Sequence, residues 1–138
     1  MTQSKDGHTG GCLCGAVHYR AEGAPDWVGH CHCRSCRRNS GAAMLTFAGY
    51  TRDRITWTEG RPAIYESSPG VRRGFCPRCG TPIAYEADNY GDEVHLTIGT
   101  LDAPEALTPT GHVWTEAQLP WLHMADDLPR HEKTPGRV

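Results

Sequence analysis

The chain has 138 residues, a formal net charge of −2 and seven cysteines. That length suits one domain, at roughly 100–200 residues each, and 38% hydrophobic with 22% charged residues excludes a disordered chain. The near-neutral charge speaks against a nucleic-acid binder, which is normally strongly basic, and an odd number of thiols cannot all pair as internal disulfides.

Residues 1–8 lack the apolar run of a secretory signal. The most apolar stretch, residues 41–50, is far short of the about 20 residues a membrane span needs. The expected setting is cytoplasmic and reducing, with no membrane partner. There, clustered cysteines serve as metal ligands or catalytic groups more often than as disulfides.

Residues 1–8 and 133–138 are largely polar and read as flexible tails around a single domain over 9–132. Within it, short alternating segments are separated by Gly and Pro. Residues 16–20, 44–47, 55–57, 63–65, 83–85 and 94–98 read as strands, and 113–114 as one more short one. No helical stripe stands out. Residues 102–107 read as a single helical turn with Asp102 as its N-cap. The expected fold class is mainly β, built from short antiparallel strands, with metal sites adding cross-links to a modest core.

The cysteines fall in three groups and none lies outside them: Cys12-Leu-Cys14-Gly15, Cys31-His-Cys33-Arg-Ser-Cys36 and Cys76-Pro-Arg-Cys79-Gly80. In the last group two sulfurs sit on one tight turn, and Gly80 tolerates the positive φ that closes it. Its N–H is expected to point toward a thiolate. In a C-x-C on extended chain, residues i and i+2 face one side. Cys12 and Cys14 then share a face, as do Cys31 and Cys33, which turns His30 and His32 away. Zinc takes four protein ligands in closed structural sites and three in open catalytic ones. Cys12, Cys14, Cys76 and Cys79 would make a closed site, and Cys31, Cys33 and Cys36 an open one. Pairing Cys31 and Cys33 with Cys76 and Cys79 satisfies the same arithmetic. So does a second structural zinc with a histidine as its fourth ligand. An iron–sulfur cluster fits the C-x-C spacing less well.

These motifs, with Ser40-Gly41 after the second group, resemble the glutathione-dependent formaldehyde-activating enzyme family, which also includes centromere protein V. The similar segments are Gly10-Gly-Cys-Leu-Cys-Gly-Ala-Val-His-Tyr19, Cys31-His-Cys-Arg-Ser-Cys-Arg37 and Phe75-Cys-Pro-Arg-Cys-Gly-Thr81. Residues 68–75, 96–102, 112–114 and 119–121 add family-like features, so the resemblance covers roughly residues 9–132. It implies a β-tent zinc fold with a structural zinc on Cys12, Cys14, Cys76 and Cys79. It implies a second, less tightly held zinc on Cys31, Cys33 and Cys36, as the catalytic site. It implies a carbon–sulfur lyase-type activity resembling S-(hydroxymethyl)glutathione synthase, with glutathione or a related small thiol as partner. A non-catalytic zinc module that binds a thiol or a protein is the alternative.

Three thiolates around a divalent zinc leave a shell of net charge −1, which nearby cations would offset. Arg34, Arg37 and Arg38 are the candidates by sequence, and could also pair with glutathione carboxylates; ordinary solvated surface is the competing reading. His30 and His32 are candidate proton carriers, weighed against partly exposed strand residues. His112 depends on where the fold puts it. Trp114 and Trp121 read as packing residues, and Ser40 with Gly41 as shaping the loop beside Cys36.

Overall fold

A computed structural model describes residues 7–134. Ten short strands and one helix run in the order β1 His8–Gly11, β2 His18–Ala21, β3 Trp27–Cys31, α1 Arg34–Ser40, β4 Leu45–Thr51, β5 Ile55–Glu59, β6 Ala63–Ser68, β7 Val71–Phe75, β8 Pro82–Ala87, β9 Glu93–Thr97 and β10 His112–Val113. The fold is mainly β, as composition and alternation indicate. Strands β1, β2 and β5 form a small sheet; β10, β3, β4, β9, β8, β7 and β6 form a large one in that order. Every pairing is antiparallel except β10 beside β3. Of the two expected tails, residues 1–6 and 135–138 lie outside the described residues, while His8 opens β1. No described helix is long and apolar enough to cross a membrane.

The core is formed by inward-facing residues of both sheets. Val17, Tyr19, Tyr50, Ile83 and Leu96 are its largest apolar members, each almost wholly buried. Tyr19 stays inside because its hydroxyl bonds to Thr100 Oγ1 at 2.8 Å, which satisfies the polar end of an otherwise apolar ring.

Two local expectations are corrected. Helix α1 exists although no apolar stripe announces it. It is only seven residues long and buries a single side chain, Cys36, so there is no periodicity to read. Its ends carry the signal instead: Cys33 caps the start with its sulfur, and Gly41 closes the end at φ 71°. The turn expected near Asp102 is a 3₁₀ turn over Pro104–Ala106, capped by Ala103. Asp102 instead accepts from the Thr9 hydroxyl at 2.6 Å, tying that loop to β1.

Candidate functional site

The seven cysteines gather into two sets. The sulfurs of Cys12, Cys14, Cys76 and Cys79 all lie within 4.8 Å of one another, and so do those of Cys31, Cys33 and Cys36. The mixed pairing of Cys31 and Cys33 with Cys76 and Cys79 therefore drops out.

The four-cysteine set is held by two facing turns. Cys12 and Cys14 are on a turn following β1, not on extended chain. Gly15 N–H donates to the Cys12 carbonyl at 3.2 Å and Cys12 N–H to the Val17 carbonyl at 3.0 Å, which folds the segment tightly enough to bring both sulfurs to one side. In the second turn Gly80 has φ 83°, yet its N–H goes to the Cys76 carbonyl at 2.9 Å and not to a thiolate. Within this turn the Arg78 and Cys79 amides reach Cys76 Sγ, at 3.3 and 3.4 Å. Thr81 links the turns: its hydroxyl accepts from Leu13 N–H at 3.1 Å and lies 3.1 Å from Cys79 Sγ. That contact, with the Thr81 backbone, lowers the Cys79 thiol to about 5. Sulfurs of Cys12 and Cys14 are 3.7 Å apart, and of Cys14 and Cys76 3.8 Å. A tetrahedron with zinc–sulfur bonds of about 2.3 Å has edges of about 3.8 Å, so the set fits zinc both in chemistry and in dimension.

Cys31 ends β3, Cys33 caps α1, and Cys36 lies on the buried side of the first helical turn. The strand end and the helix start thus aim three sulfurs at one point. Hydrogen bonds from Cys31 and Cys36 hold Cys33 well below the ordinary thiol range, and the same bond to Cys33 pushes Cys31 up. Ser40 donates to the Cys36 carbonyl at 2.7 Å, so Ser40 and Gly41 fix the end of the helix that carries Cys36.

A cavity of about 420 Å³ opens onto Cys31, Cys33 and Cys36 and onto none of the other four cysteines. Its floor is one row across the large sheet. Trp27 faces Gly49, Gly49 faces His95, His95 faces Tyr85, and Tyr85 faces Arg73, each directly opposite on neighbouring strands. Opposite residues stand on one face, and the rings follow one another: Trp27 to His95 at 4.5 Å, His95 to Tyr85 at 5.3 Å, and the Arg73 guanidinium 5.0 Å over Tyr85. Gly49 leaves the gap that Trp27 fills, since a Cβ there would fall inside the indole.

Alongside runs a buried polar chain. His32 and His112 share a hydrogen bond of 2.9 Å between Nε2 and Nδ1, and His112 Nε2 reaches both Asp126 oxygens at 3.1 Å. An ionised carboxylate only accepts, so His112 donates to Asp126 from Nε2. Burial first, then His112, lowers His32 to about 4 and keeps it neutral. His32 is thus wholly buried, not a partly exposed strand residue. His30 is half-buried and bonded to Thr46 Oγ1 at 2.7 Å.

The expected arginines are elsewhere. Arg34 and Arg38 are exposed, and none of Arg34, Arg37 and Arg38 lines the cavity; the cation there is Arg73. Sequence reasoning missed it because it is 37 residues from Cys36, on a different element. The alternation of β7 and β8, which sets Arg73 against Tyr85, was the available signal. Trp114 packs beside Phe47 and also lines the cavity, while Trp121 is 67% exposed and is not a packing residue.

Comparison with known proteins follows the same lines. A solved Rhodobacter sphaeroides protein superposes with a TM-score of 0.57 at 19% identity, covering 88% of this chain and 98% of that one; this likeness concerns the fold. An uncharacterized lyase of Schizosaccharomyces pombe is 29% identical over 82 residues, 59% of this chain. The matched region is also 59% of that curated relative's length. The family model described as glutathione-dependent formaldehyde-activating enzyme matches residues 7–117. With most of its length matched, and with both cysteine sets assembled, this chain belongs to the glutathione-dependent formaldehyde-activating enzyme family.

Proposed function

We propose that the chain is a zinc-dependent carbon–sulfur lyase-type enzyme acting on glutathione and formaldehyde, or on a related thiol adduct. Cys31, Cys33 and Cys36 would hold the ion at which the chemistry occurs, and Cys12, Cys14, Cys76 and Cys79 a second, structural ion. The observation that carries this reading is the placement of the cavity, which opens onto the three-sulfur set alone. A zinc ion held there would supply Lewis acidity and a position for a thiol.

The reaction joins a thiol sulfur to the carbonyl carbon, with the thiol proton ending on the carbonyl oxygen; the reverse step cleaves the same bond. The chain contributes the shape of the site. The aromatic floor and Trp114 exclude water around the adduct. His112 borders the cavity with both ring nitrogens engaged, Nδ1 by His32 and Nε2 by Asp126, which supports a role in fixing that wall of the cavity. The protein is expected to act in the cytoplasm, where glutathione is abundant.

The test is magnetisation-exchange NMR of glutathione, formaldehyde and their adduct with zinc-loaded protein. Interconversion well above the spontaneous rate, abolished in Cys33→Ala, is the expected result. A spontaneous rate with retained thiol binding would replace the enzyme by a thiol-binding module.

A further inference from the structure

Arg73 presents an electrostatic problem. It is only 6% exposed, and among the described residues it has no carboxylate partner. Its Nε donates to the neutral Ser67 hydroxyl at 3.2 Å, and its flat face covers Tyr85. A buried charge without a counter-charge is strongly unfavourable. The anionic neighbour it does have is the three-cysteine set: Nη1 donates to Cys36 Sγ at 3.7 Å. A divalent ion with three thiolates carries net charge −1, and one guanidinium brings that to zero.

We infer that Arg73 is the counter-charge of the three-cysteine centre and lets it accept an anionic sulfur ligand from the cavity. This rests on the reading of that set as a metal centre, proposed above. Without Arg73, a fourth thiolate would raise the centre from −1 to −2 in a largely apolar enclosure, where like charges repel far more strongly than in water. With it, the same step runs from neutral to −1. A neutral ligand changes the charge of neither. Arg73 thus acts through Cys36 and through the field at the centre. It is a positioning residue whose effect depends on the charge of the incoming ligand, which packing alone does not.

The test uses cobalt-loaded full-length protein, titrated with 2-mercaptoethanol, which binds as a thiolate, and with imidazole, which binds neutral. Ligand-field absorption is the readout, so turnover is not needed. Arg73→Gln is expected to weaken 2-mercaptoethanol by about ten-fold or more and to leave imidazole within about two-fold. Arg73→Lys, which keeps the charge, is expected to retain the preference for thiolate. Equal changes for both probes, or no change for either, would overturn the inference. Should Arg73→Gln hold no ion on the three-cysteine set, Arg73→Lys decides: a retained thiolate preference supports the inference and a lost one overturns it. A protein that shows this selectivity but no accelerated exchange would sink the lyase reading alone. Accelerated exchange with an indifferent Arg73→Gln would sink this inference alone.

Discussion

Cys14 and Cys76 bring their sulfurs to 3.8 Å across 62 residues of chain. Each stands on its own turn, one after the small sheet's first strand and one after β7, so a metal held between them would cross-link the two sheets. Structural zinc supplies about 10–16 kcal/mol in small domains, against a total stability of about 5–15 kcal/mol. Cys76→Ser is expected to lose the ion of the four-cysteine set and with it cooperative unfolding. Circular dichroism melts with metal analysis check this; a folded variant lacking that ion would show that the sheets hold together without it.

The His32–His112–Asp126 chain is expected to matter for stability. His112→Phe keeps a planar ring but leaves His32 Nε2 without a partner in a fully buried position. An unsatisfied buried polar atom costs about 1–3 kcal/mol. The urea midpoint should fall accordingly, and Asp126→Asn, at the half-buried end of the chain, should fall less.

Gly49→Ala tests the cavity floor. The added methyl would collide with the Trp27 indole, whose Nε1 donates to Glu93 Oε1 at 3.2 Å. Overpacking of this kind costs about 1–3 kcal/mol. A shifted tryptophan emission together with lower stability is the expected outcome. Unchanged spectra and stability would show that the indole does not occupy the glycine gap.

Stability should decline in alkali before any general effect of charge. Burial is the first cause that pushes Tyr50 and Tyr85 up to about 12, from an ordinary value near 10. A folded-state value above the unfolded one favours the neutral phenol in the fold. That contribution is complete below pH 10 and is lost as pH rises from 10 through 12. Urea midpoints between pH 9 and 12 would show the fall, and Tyr50→Phe should flatten it. The same variant should cost about 1 kcal/mol at neutral pH, since the Tyr50 hydroxyl donates to the Gly23 carbonyl at 3.1 Å.

Much of this was legible in the sequence where the signal is local. Alternation places β2, β5, β8, β9 and β10 to within two residues, such as β9 at 93–97 against an expected 94–98, while β4 and β6 run three or four residues past their expected ends and β1, β3 and β7 are not among the expected strands. Helix α1 was not legible, because seven residues with one buried side chain carry no period. The cysteine spacings left several partitions open; what separates them is the closure of two turns distant in sequence, a property of sheet packing. Arg73 was invisible for the same reason: its relation to Cys36 passes through β7 and its register with β8. The nearby arginines of α1 were the natural guess, but that helix buries Cys36 while exposing Arg34 and Arg38.

The central claim is the division of seven cysteines into a closed set of four and an open set of three. Anomalous scattering at the zinc edge from crystals of zinc-loaded protein tests it most directly. The account predicts two peaks, one among Cys12, Cys14, Cys76 and Cys79 and one bounded by Cys31, Cys33 and Cys36 with a fourth position facing the cavity. A peak shared between the two sets, or a fourth protein ligand closing the three-cysteine set, would contradict it.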